Sequence, residues 1–408
     1  MLLAENLNIK DFSYTLPLER IAQFPLKERD DSKLLVFKDN KISENIFKNI
    51  SKYLPENSLM IFNDTKVIQA RIFLKKPSGA KIEIFCLEPQ DEYNIAFEKK
   101  GNCKWKCFIG NASKWKTGLL FNKIKHDNKE ICLSANQLYC EKDFFIVEFC
   151  WQPENLSFAE IIDMFGQTPL PPYIKRFSDD TDKNKYQTIY AKEKGSVAAP
   201  TAGLHFTKNV IEEIKKKKIN FSNITLHVGA GTFKPVKSSI ENHKMHTEFF
   251  FISKEFLITL INNKYKNIIS VGTTTLRTLE SLYFMGVKLK VDKDFRDNEI
   301  LFLEQWEAYQ DNYNIGISFE ESLNYLLEYL KNKNKTILSA RTSLIIIPGY
   351  KFKTANYLIT NFHMPQSTLL LLVAAFIGDK WENVYIYALK NNFRFLSYGD
   401  SCVFQRFF

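Results

Sequence analysis

Lys81-Ile-Glu-Ile-Phe-Cys-Leu is the first of a series of short apolar segments that are separated by turn residues. The series continues to about residue 150, with the members Asn94-Ile-Ala-Phe, Lys104-Trp-Lys-Cys-Phe-Ile, Gly118-Leu-Leu-Phe and Phe144-Phe-Ile-Val-Glu-Phe. Short strand-like segments at this spacing, with no strong helical pattern between them, are typical of a small all-β barrel or sandwich. We therefore predict an inserted β-barrel domain over residues 75–151.

The sequence on either side of this insertion mixes strand and helix patterns. Buried strands are predicted at Lys33-Leu-Leu-Val-Phe-Lys, Ser58-Leu-Met-Ile-Phe-Asn, Ile224-Thr-Leu-His-Val, Asn267-Ile-Ile-Ser-Val and Ser343-Leu-Ile-Ile-Ile. Helices are predicted over 254–263, 273–284, 319–331, 367–377 and 382–391, and Ser157, Thr207 and Ser367 can cap helices. The predicted fold is thus a main α/β catalytic domain, residues 1–74 and 152–408, with the small barrel inserted.

Charge and composition restrict the class of protein and its partners. Of 408 residues, 45% are apolar and 25% charged, which is typical of a globular chain and excludes disorder. Lys+Arg exceed Asp+Glu by 56 to 46, a net charge of +10, and this favours a polyanionic partner such as nucleic acid. A Lys-rich chain can also be basic through composition alone.

Six of the seven Cys lie between Cys86 and Cys150 without a CxxC pair, so we expect reduced, packed thiols.

A membrane location is not expected. The longest apolar run, Leu369 to Ile377, has nine residues, whereas a transmembrane helix needs about 20. The first residues have neither the basic region nor the apolar core of a signal peptide. We therefore expect a cytoplasmic protein with no membrane partner.

Histidines are concentrated in one part of the chain. His205, His227, His243 and His246 lie within residues 201–246, and a fifth, His363, follows in Thr360-Asn-Phe-His-Met-Pro. Histidine exchanges a proton near neutral pH, so several in one pocket would suit acid–base catalysis. For any single histidine, packing in the core is an equally ordinary explanation. We interpret the group as the acid–base residues of a site.

Two small-residue loops accompany these histidines. Thr201, Ala202 and Gly203 precede His205 and a predicted helix, where exposed backbone amides can bind a carboxylate or phosphate. Gly229, Gly231 and Thr232 follow the strand that ends near His227 and allow close approach of a ligand. The third glycine of the dinucleotide fingerprint is absent and Pro235 blocks an immediate helix, which argues against a Rossmann cofactor site.

Val271-Gly-Thr-Thr-Thr-Leu-Arg277 reads as a strand followed by a hydroxyl-rich helix start. Thr273, Thr274 and Arg277 there are candidates for binding an anionic group. The alternative is an ordinary helix with Arg277 and Glu280 paired on its surface.

Further polar groups are less decisive. His243-x-x-His246 with Glu248 nearby resembles a metal site, but the spacing differs from the helical zinc signature, and we expect no metal. Asn63, Asp64 and Arg71 lie near a strand end. Asn63 and Arg71 are candidates for binding substrate, and Asp64 would serve as a base or simply form a turn.

Taken together, these motifs resemble the S-adenosylmethionine:tRNA ribosyltransferase-isomerase family of queuosine biosynthesis. The resemblance runs nearly from end to end of the chain. It is carried by Asp11-Phe-Ser-Tyr-Thr-Leu-Pro, Phe62-Asn-Asp-Thr-Lys-Val-Ile-Gln-Ala-Arg, Pro169-Leu-Pro-Pro-Tyr-Ile-Lys-Arg, Gly195-Ser-Val-Ala-Ala-Pro-Thr-Ala-Gly-Leu-His-Phe-Thr, His227-Val-Gly-Ala-Gly-Thr-Phe-Lys-Pro-Val, Gly272-Thr-Thr-Thr-Leu-Arg-Thr-Leu-Glu, Thr360-Asn-Phe-His-Met-Pro-Gln-Ser and Phe395-Leu-Ser-Tyr-Gly-Asp.

The resemblance implies a reaction, two substrates and a set of residue roles. S-adenosylmethionine would donate its ribosyl group to 7-aminomethyl-7-deazaguanine at the wobble position of tRNA, giving epoxyqueuosine-tRNA, adenine and methionine, with no metal or redox cofactor. Proton transfer falls to His205, His227, His246 and His363, with Asp64 and Glu248 as alternative bases. Residues 201–203 and 229–232 with Thr273, Thr274 and Arg277 would contact methionine or ribose, and Asn361 would contact adenine. We expect a monomer.

Two other functions remain open from the sequence. A tRNA methyltransferase would use the same substrates, and a non-catalytic RNA-binding module would need only the charge and the aromatic residues. The missing glycine fingerprint argues against the first and the histidine group against the second. Lys104, Lys106, Lys114 and Lys116 alternate with Trp105 and Trp115, which suits either tRNA contact or ordinary strand patterning.

Overall fold

The structure is a computed structural model that describes residues 5, 7–141, 144–229, 231, 236, 239–262 and 267–406. The strands in these residues are β1 (Lys33–Lys38), β2 (Lys41–Ile46), β3 (Ser58–Asn63), β4 (Thr65–Val67), β5 (Arg71–Lys75), β6 (Lys81–Pro89), β7 (Asn102–Gly110), β8 (Leu120–His126), β9 (Lys129–Glu141), β10 (Phe144–Gln152), β11 (Gly166–Gln167), β12 (Glu193–Ser196), β13 (Asn220–His227), β14 (Glu248–Ser253), β15 (Asn267–Val271), β16 (Leu301–Leu303), β17 (Ile337–Thr342), β18 (Tyr357–Asn361) and β19 (Ser401–Gln405). The α-helices are α1 (Tyr93–Glu98), α2 (Phe158–Phe165), α3 (Asp182–Lys185), α4 (Lys208–Lys215), α5 (Lys254–Ile261), α6 (Thr273–Val291), α7 (Phe319–Asn332), α8 (Thr368–Ile377) and α9 (Trp381–Lys390).

The larger sheet has the strand order β16-β17-β14-β13-β3-β15-β18-β19-β1-β2. Its centre, β13, β3, β15 and β18, is parallel, with Met60 of β3 opposite Ile269 of β15 and Ile269 opposite Tyr357 of β18. Every residue of β3 and β18 is buried, as expected for strands that are covered on both faces. The carboxyl ends of these four strands therefore meet at one edge of the sheet.

The inserted domain is a closed antiparallel barrel. Its strands follow the order β5-β6-β7-β10-β9-β8, and Lys75 of β5 pairs with Phe121 of β8 to close it, while β11 extends the sheet beside β5. Trp105, Trp115 and Phe149 fill the barrel, and Phe158 of α2 packs against this core. The expected fold, a main α/β domain with an inserted barrel, is confirmed. The barrel sheet begins at Arg71, a few residues before the expected boundary.

The burial of two tryptophans decides between the two interpretations of the Lys/Trp segment. Trp105 is 0% and Trp115 is 1% exposed, so neither ring is available for a base to stack on. Lys104 and Lys106 lie 3.8 Å from Glu148 and Glu88, respectively. Lys104-Trp105-Lys106 is the ordinary patterning of a strand, β7, with one face in the core, whereas Trp115 is buried just after a 3-10 turn.

Two predicted strands are wrong. Asn94-Ile-Ala-Phe lies in α1, where Ala96 and Phe97 are both buried and Ile95 is exposed, so burial does not alternate as in a strand. Ser343-Leu-Ile-Ile-Ile follows β17 and forms no strand, although Leu344 to Ile347 are buried. The backbone N–H groups of Ser343 and Ile345 donate to the carbonyls of Leu303 and Gln305 instead. Short apolar runs are buried in any of these conformations, which is why the sequence pattern did not separate them.

The predicted helix starts are confirmed. The side chains of Ser157, Thr207 and Ser367 each accept a hydrogen bond from a backbone N–H in the first turn of α2, α4 and α8. Helix α6 is longer than expected and continues to Val291, because almost its whole length is buried between the sheet and α7.

None of the described helices is long and apolar enough to cross a membrane. All seven cysteines are free thiols.

Candidate active site

A cavity lies at the carboxyl ends of the parallel strands β13, β15 and β18. The residues that follow these strands, Val228, Gly272 and Phe362, line it, and this is the edge where open α/β sheets bind ligands. The enclosed space is about 80 Å³ and opens to solvent. Among the lining residues that the structure describes there is no Asp, Glu, Lys or Arg.

The start of helix α6 forms one wall of this cavity. Gly272 precedes the helix with φ 98°, a conformation that favours glycine, and no side chain caps the first turn. Thr273 and Thr274 line the cavity, while Thr275 Oγ1 donates to the Val271 carbonyl at 2.8 Å. The first N–H groups of a helix have no intrahelical acceptor and carry the positive end of its dipole. This wall therefore suits a carboxylate or a ribose hydroxyl.

Asn361, at the end of β18, is held by a chain of buried hydrogen bonds. Its Nδ2 donates to the carbonyls of Leu396 and Ser397 at 2.8 and 3.3 Å, and its Oδ1 accepts from His205 Nε2 at 3.1 Å. Ser32 Oγ lies 2.8 Å from His205 Nδ1. Because Oδ1 only accepts, His205 carries its proton on Nε2 and accepts from Ser32 at Nδ1. The Asn361 Nδ2 group thus donates to the protein backbone. The sequence predicted that this side chain would contact adenine instead.

The loop that receives these bonds also carries backbone strain. Leu396 has φ 69°, which is unfavourable for a residue with a branched side chain, and both Leu396 and Ser397 line the cavity. Strained backbone that is held by surrounding hydrogen bonds is common at functional sites. Residues 396 and 397 are therefore part of the candidate site.

His363 is the one histidine among the described lining residues of the cavity. Its Nε2 is 2.9 Å from Thr360 Oγ1, its backbone N–H donates to the Tyr385 hydroxyl at 3.2 Å, and the Tyr14 hydroxyl donates to its carbonyl. Burial lowers the pKa of His363 to about 3 and that of His205 to about 4. Both rings are therefore neutral at pH 7, and a neutral imidazole is a proton acceptor.

A second group of expected residues lies beside the cavity rather than in its wall. Asn63 binds both the N–H and the carbonyl of Leu226 through its side chain, and Thr225 Oγ1 donates to Asp64 Oδ1 at 2.7 Å. His227 Nδ1 is 2.8 Å from Thr65 Oγ1. Burial lowers the pKa of His227 to about 4 and raises that of Asp64. The hydrogen bonds of these side chains join the end of β3 to β13.

His227 also joins the two domains. Its ring centroid is 4.5 Å from that of Tyr93 in the barrel domain. Gly195 has φ 151°, and a Cβ there would lie 2.6 Å from the His227 ring, so only glycine leaves room for this histidine. The next residue along the chain, Val228, lines the cavity, which places this contact between domains at its border.

Arg277 lies in the interior of the protein rather than on a helix surface. It forms a buried ion pair with Glu248 of β14, and burial lowers its pKa to about 10. Glu280 is fully buried and accepts hydrogen bonds from Tyr350 and Thr354, so a surface pair between Arg277 and Glu280 is wrong. No local pattern around Arg277 indicates that Glu248 of β14 supplies the carboxylate.

The remaining expected residues divide between the cavity and other places. Thr201 and Ala202 line the cavity, and Gly203 belongs to the same 3-10 turn. Gly231 lies against the His246 ring, which a Cβ there would overlap. Arg71 belongs to the barrel and pairs with Glu83 at 2.7 Å, away from the cavity. Gly229 has no heavy atom within 4 Å of where a Cβ would be, and Thr232 lies outside the described residues.

Two polar residues that line the cavity were not singled out from sequence. The Tyr173 hydroxyl is 2.6 Å from Ser397 Oγ, and both residues line the cavity. They occur in the motifs Pro169-Leu-Pro-Pro-Tyr and Phe395-Leu-Ser-Tyr-Gly-Asp, which lie more than 200 residues apart and carry no local sign of a shared site. Among the described residues, no group of three or more His, Cys, Asp or Glu could hold a metal ion.

Comparison with known proteins shows the family of this chain. The family model of queuosine biosynthesis proteins matches residues 9–404, nearly the whole chain. The chain belongs to the queuosine biosynthesis protein family. Three curated relatives of this family member are called S-adenosylmethionine:tRNA ribosyltransferase-isomerase. They come from Thermotoga petrophila, Halothermothrix orenii and Clostridium kluyveri, are 39%, 38% and 37% identical, and align over 97% of this chain and 99% of their own length.

A solved structure is also similar to this queuosine biosynthesis protein. It is the crystal structure of S-adenosylmethionine tRNA ribosyltransferase from Thermotoga maritima, with 28% sequence identity and a TM-score of 0.45. The alignment covers 96% of this chain and 99% of the other.

Proposed function

We propose that this protein is an S-adenosylmethionine:tRNA ribosyltransferase-isomerase of queuosine biosynthesis. It transfers and isomerises the ribosyl moiety of S-adenosylmethionine onto 7-aminomethyl-7-deazaguanine at the tRNA wobble position. The products are epoxyqueuosine-tRNA, adenine and methionine. The observation that carries this proposal is the family membership over residues 9–404, together with a cavity that unites neutral His363 with the uncapped start of α6.

The two walls of the cavity match the two ends of S-adenosylmethionine. The helix start with Thr273 and Thr274 offers N–H and hydroxyl donors to the methionine carboxylate or the ribose. The lining also includes apolar residues that suit adenine, among them Leu369 and Met364. The cavity opens to solvent, and this opening is where the tRNA base must arrive.

His363 is the residue that we assign as the base. The ribose 5′ C–H beside the sulfonium is acidified by the positive sulfur, and a neutral imidazole that lines the cavity can accept that proton. Adenine then leaves with a proton from a general acid, the acceptor amine attacks and gives up a proton, the ring recloses and methionine departs. A pKa of about 3 keeps His363 unprotonated before the reaction, so it starts in the form that a base needs.

The other histidines take supporting roles in this proposal. Both nitrogens of His205 are engaged, with Asn361 and with Ser32, so His205 positions the cavity wall rather than exchanging a proton with substrate. Burial raises the pKa of Tyr173 well above its ordinary value, so this hydroxyl keeps its proton and can donate a hydrogen bond to departing adenine. His227, Asp64 and the Glu248–Arg277 pair maintain the surrounding strands.

The reaction as proposed consists of proton transfers and substitutions, so we propose that it needs no cofactor beyond its substrate S-adenosylmethionine. We also propose that the protein acts as a monomer in the cytoplasm, where its tRNA substrate is found. The basic excess of the chain is consistent with that partner.

The test is to incubate the purified protein with S-adenosylmethionine and tRNA that carries the aminomethyl-deazaguanine base, and to identify the products by mass. Adenine and methionine, with a matching mass gain on the tRNA, are the expected result. Release of S-adenosylhomocysteine would mean methyl transfer and would overturn the proposal. Binding of tRNA with no product would leave only an RNA-binding function.

A further inference from the structure

A basic cleft adjoins the cavity on the side of Ser397. Three cationic side chains line it, from Arg29, Lys185 and Arg394, together with the hydroxyl-bearing Ser32, Ser397 and Tyr398. Ser397 lines both the cleft and the cavity, and His205 of the cleft donates to Asn361 of the cavity. No acidic residue is among the described residues that line the cleft.

The positive charge of the cleft is held in place but only partly neutralised. Arg29 donates to the carbonyls of Gln187 and Asn184 at 2.9 and 3.3 Å, and Lys185 Nζ donates to the Lys27 carbonyl at 2.6 Å. Carbonyl acceptors fix a cationic side chain without cancelling its charge. The cleft therefore presents pre-positioned cations.

Two carboxylates lie near these cations. Asp400 Oδ1 is 3.6 Å from Arg394 Nε, and both Asp400 oxygens also accept backbone N–H groups, from Lys33 and Arg394. Asp30, beside Arg29, accepts a hydrogen bond from Thr207. A third carboxylate, Asp182, accepts from Tyr398 of the cleft, but both of its oxygens are also bound by Arg176. With Arg176 counted, four cations face three carboxylates, and the balance at the cleft is positive.

Two exposed phenylalanines lie on segments near the cleft: Phe24 directly precedes the lining residue Pro25, and Phe177 follows Arg176, which contacts the Phe24 ring. Phe24 is 59% and Phe177 85% exposed. Arg394 Nη1 donates to the Phe24 carbonyl at 3.4 Å, and the Arg176 guanidinium lies 4.3 Å from the Phe24 ring while its Nη1 donates to the Phe177 carbonyl at 3.0 Å. Solvent-exposed phenylalanines beside a basic groove are the arrangement by which proteins bind single-stranded nucleic acid.

We propose that the basic cleft binds a backbone phosphate of the tRNA beside the nucleotide whose base enters the cavity, and that Phe24 and Phe177 stack on unpaired bases of the same loop. This inference rests on the proposed function and locates its tRNA substrate on the surface. A phosphate contact of this kind fixes the register of the strand, so that the wobble base is the one that reaches His363. The cleft adjoins the cavity through Ser397, as a base and its own phosphate require.

The barrel is the competing surface for tRNA. Its groove contains Lys100, Lys123 and the exposed ring of Phe121. However, Lys123 is paired with Glu130 at 2.9 Å, and the groove shares no lining residue with the cavity. We therefore assign tRNA contact near the reacting base to the cleft.

The test measures tRNA affinity at several KCl concentrations by filter binding, with tRNA that carries 7-aminomethyl-7-deazaguanine. Lys185→Gln should weaken binding and lower the slope of log K against log salt by about 0.7, the value for one phosphate contact on a single strand. Phe177→Ala should weaken binding roughly five-fold or more, which is typical of a lost stacking contact. The KM for S-adenosylmethionine should stay unchanged in both variants.

The matched controls are Lys183→Gln and Phe121→Ala. Lys183 lies in the same short helix α3 as Lys185, is exposed and does not line the cleft, so its replacement makes the same change in net charge. An equal loss of salt slope in both lysine variants would overturn the proposal, as would a larger loss in Phe121→Ala than in Phe177→Ala. A raised KM for S-adenosylmethionine with unchanged tRNA binding would show that the cleft binds the methionine carboxylate instead.

The same samples separate this inference from the proposed function. If the wild-type protein releases adenine but Lys185→Gln and Phe177→Ala bind tRNA normally, the cleft assignment fails and the function stands. If the wild-type protein neither binds this tRNA nor releases adenine, the function itself fails. Because both replaced side chains reach solvent, circular dichroism should show wild-type folding.

Discussion

His205 Nε2 donates a hydrogen bond to Asn361 Oδ1 at 3.1 Å, and this contact joins residues that are 156 positions apart in the chain. His205 follows the loop 201–203, and Asn361 ends strand β18, so the bond ties two walls of the cavity together. Ser32 completes the chain from the other side of His205. The cavity is thus shaped by buried hydrogen bonds. Because these polar groups are out of reach of water, none of them can replace a lost partner with a water molecule.

Loss of this contact should reduce stability. His205→Ala leaves the buried Ser32 hydroxyl and Asn361 Oδ1 without their partner, which costs about 1–3 kcal/mol in the free energy of unfolding. His205→Gln, whose amide can donate to Asn361, should recover part of the loss. Urea denaturation measures both, with His243→Ala as the control because His243 is partly exposed and lies outside the cavity. An unchanged midpoint for His205→Ala would contradict the assigned role.

The hydroxyls at the start of α6 should contribute to substrate affinity. Replacing both Thr273 and Thr274 by Val keeps their shape but removes two donors to the proposed carboxylate. The KM for S-adenosylmethionine should rise about tenfold or more, since a hydrogen bond to a charged group is worth about 1.5–3 kcal/mol. Thr278→Val is the control, because Thr278 Oγ1 donates to the Thr274 carbonyl and does not line the cavity. The same rise in KM in the control would refute a direct contact.

The buried ion pair should behave as a structural unit. Arg277→Met leaves Glu248 as a buried charge without its counter-ion, and breaking such a pair costs about 3–5 kcal/mol. The double variant Arg277→Met/Glu248→Leu should regain most of this stability, since an apolar pair can replace a buried ion pair. Guanidinium denaturation compares the three proteins. Wild-type stability of Arg277→Met, with a raised KM, would instead make Arg277 a substrate ligand.

Buried histidines should make the protein sensitive to mild acid. His205, His227 and His363 have their pKa values lowered by burial to about 4, 4 and 3, against about 6.5 in an unfolded chain. Between these values the unfolded chain binds protons that the folded protein does not. Their contribution to stability is therefore complete above pH 6.5 and declines as the pH falls towards 4.

A single replacement isolates this effect from the carboxylates. His227→Gln should make the free energy of unfolding less steep between pH 6 and 4.5, by up to about 1.4 kcal/mol per pH unit. Urea titrations at several pH values measure the slope, with His243→Gln compared in parallel as a partly exposed histidine. If the free energy of unfolding of His227→Gln depends on pH as steeply as that of the wild-type protein, His227 binds its proton equally well in the folded and unfolded states.

Sequence patterns predicted the fold well where local physics decides it. The alternation around Lys104-Trp-Lys-Cys predicted the barrel, and hydroxyl caps such as Ser157 predicted helix starts, because both depend on neighbouring residues. Asn94-Ile-Ala-Phe and Ser343-Leu-Ile-Ile-Ile failed, since an apolar run of four or five residues is buried equally well as helix, strand or coil.

The site was only partly predictable for a related reason. Thr273 and Thr274 follow β15, a strand that the sequence pattern predicted, whereas Asn361 and His363 lie at the end of the neighbouring parallel strand β18, which it did not predict. Thr201 and Ala202 reach the same cavity from the loop after β12, and their small residues ahead of a helix were the signal that found them. The ion-pair partner of Arg277 was not predicted. Glu248 lies on the antiparallel strand β14, and only the tertiary structure brings that strand next to α6. Tyr173 and Ser397 were missed because the contact between them depends on tertiary structure alone.

The most direct test of the account is adenine release in a single turnover by His363→Ala. Wild-type protein in excess over S-adenosylmethionine and the aminomethyl-deazaguanine tRNA should release adenine, while His363→Ala should release it about 10²–10⁴ times more slowly, the usual contribution of a general base. His243→Ala should retain the wild-type rate, and the affinity of His363→Ala for S-adenosylmethionine should be close to normal. Adenine release by His363→Ala at the wild-type rate would contradict the assignment of this cavity and its histidine to the chemistry.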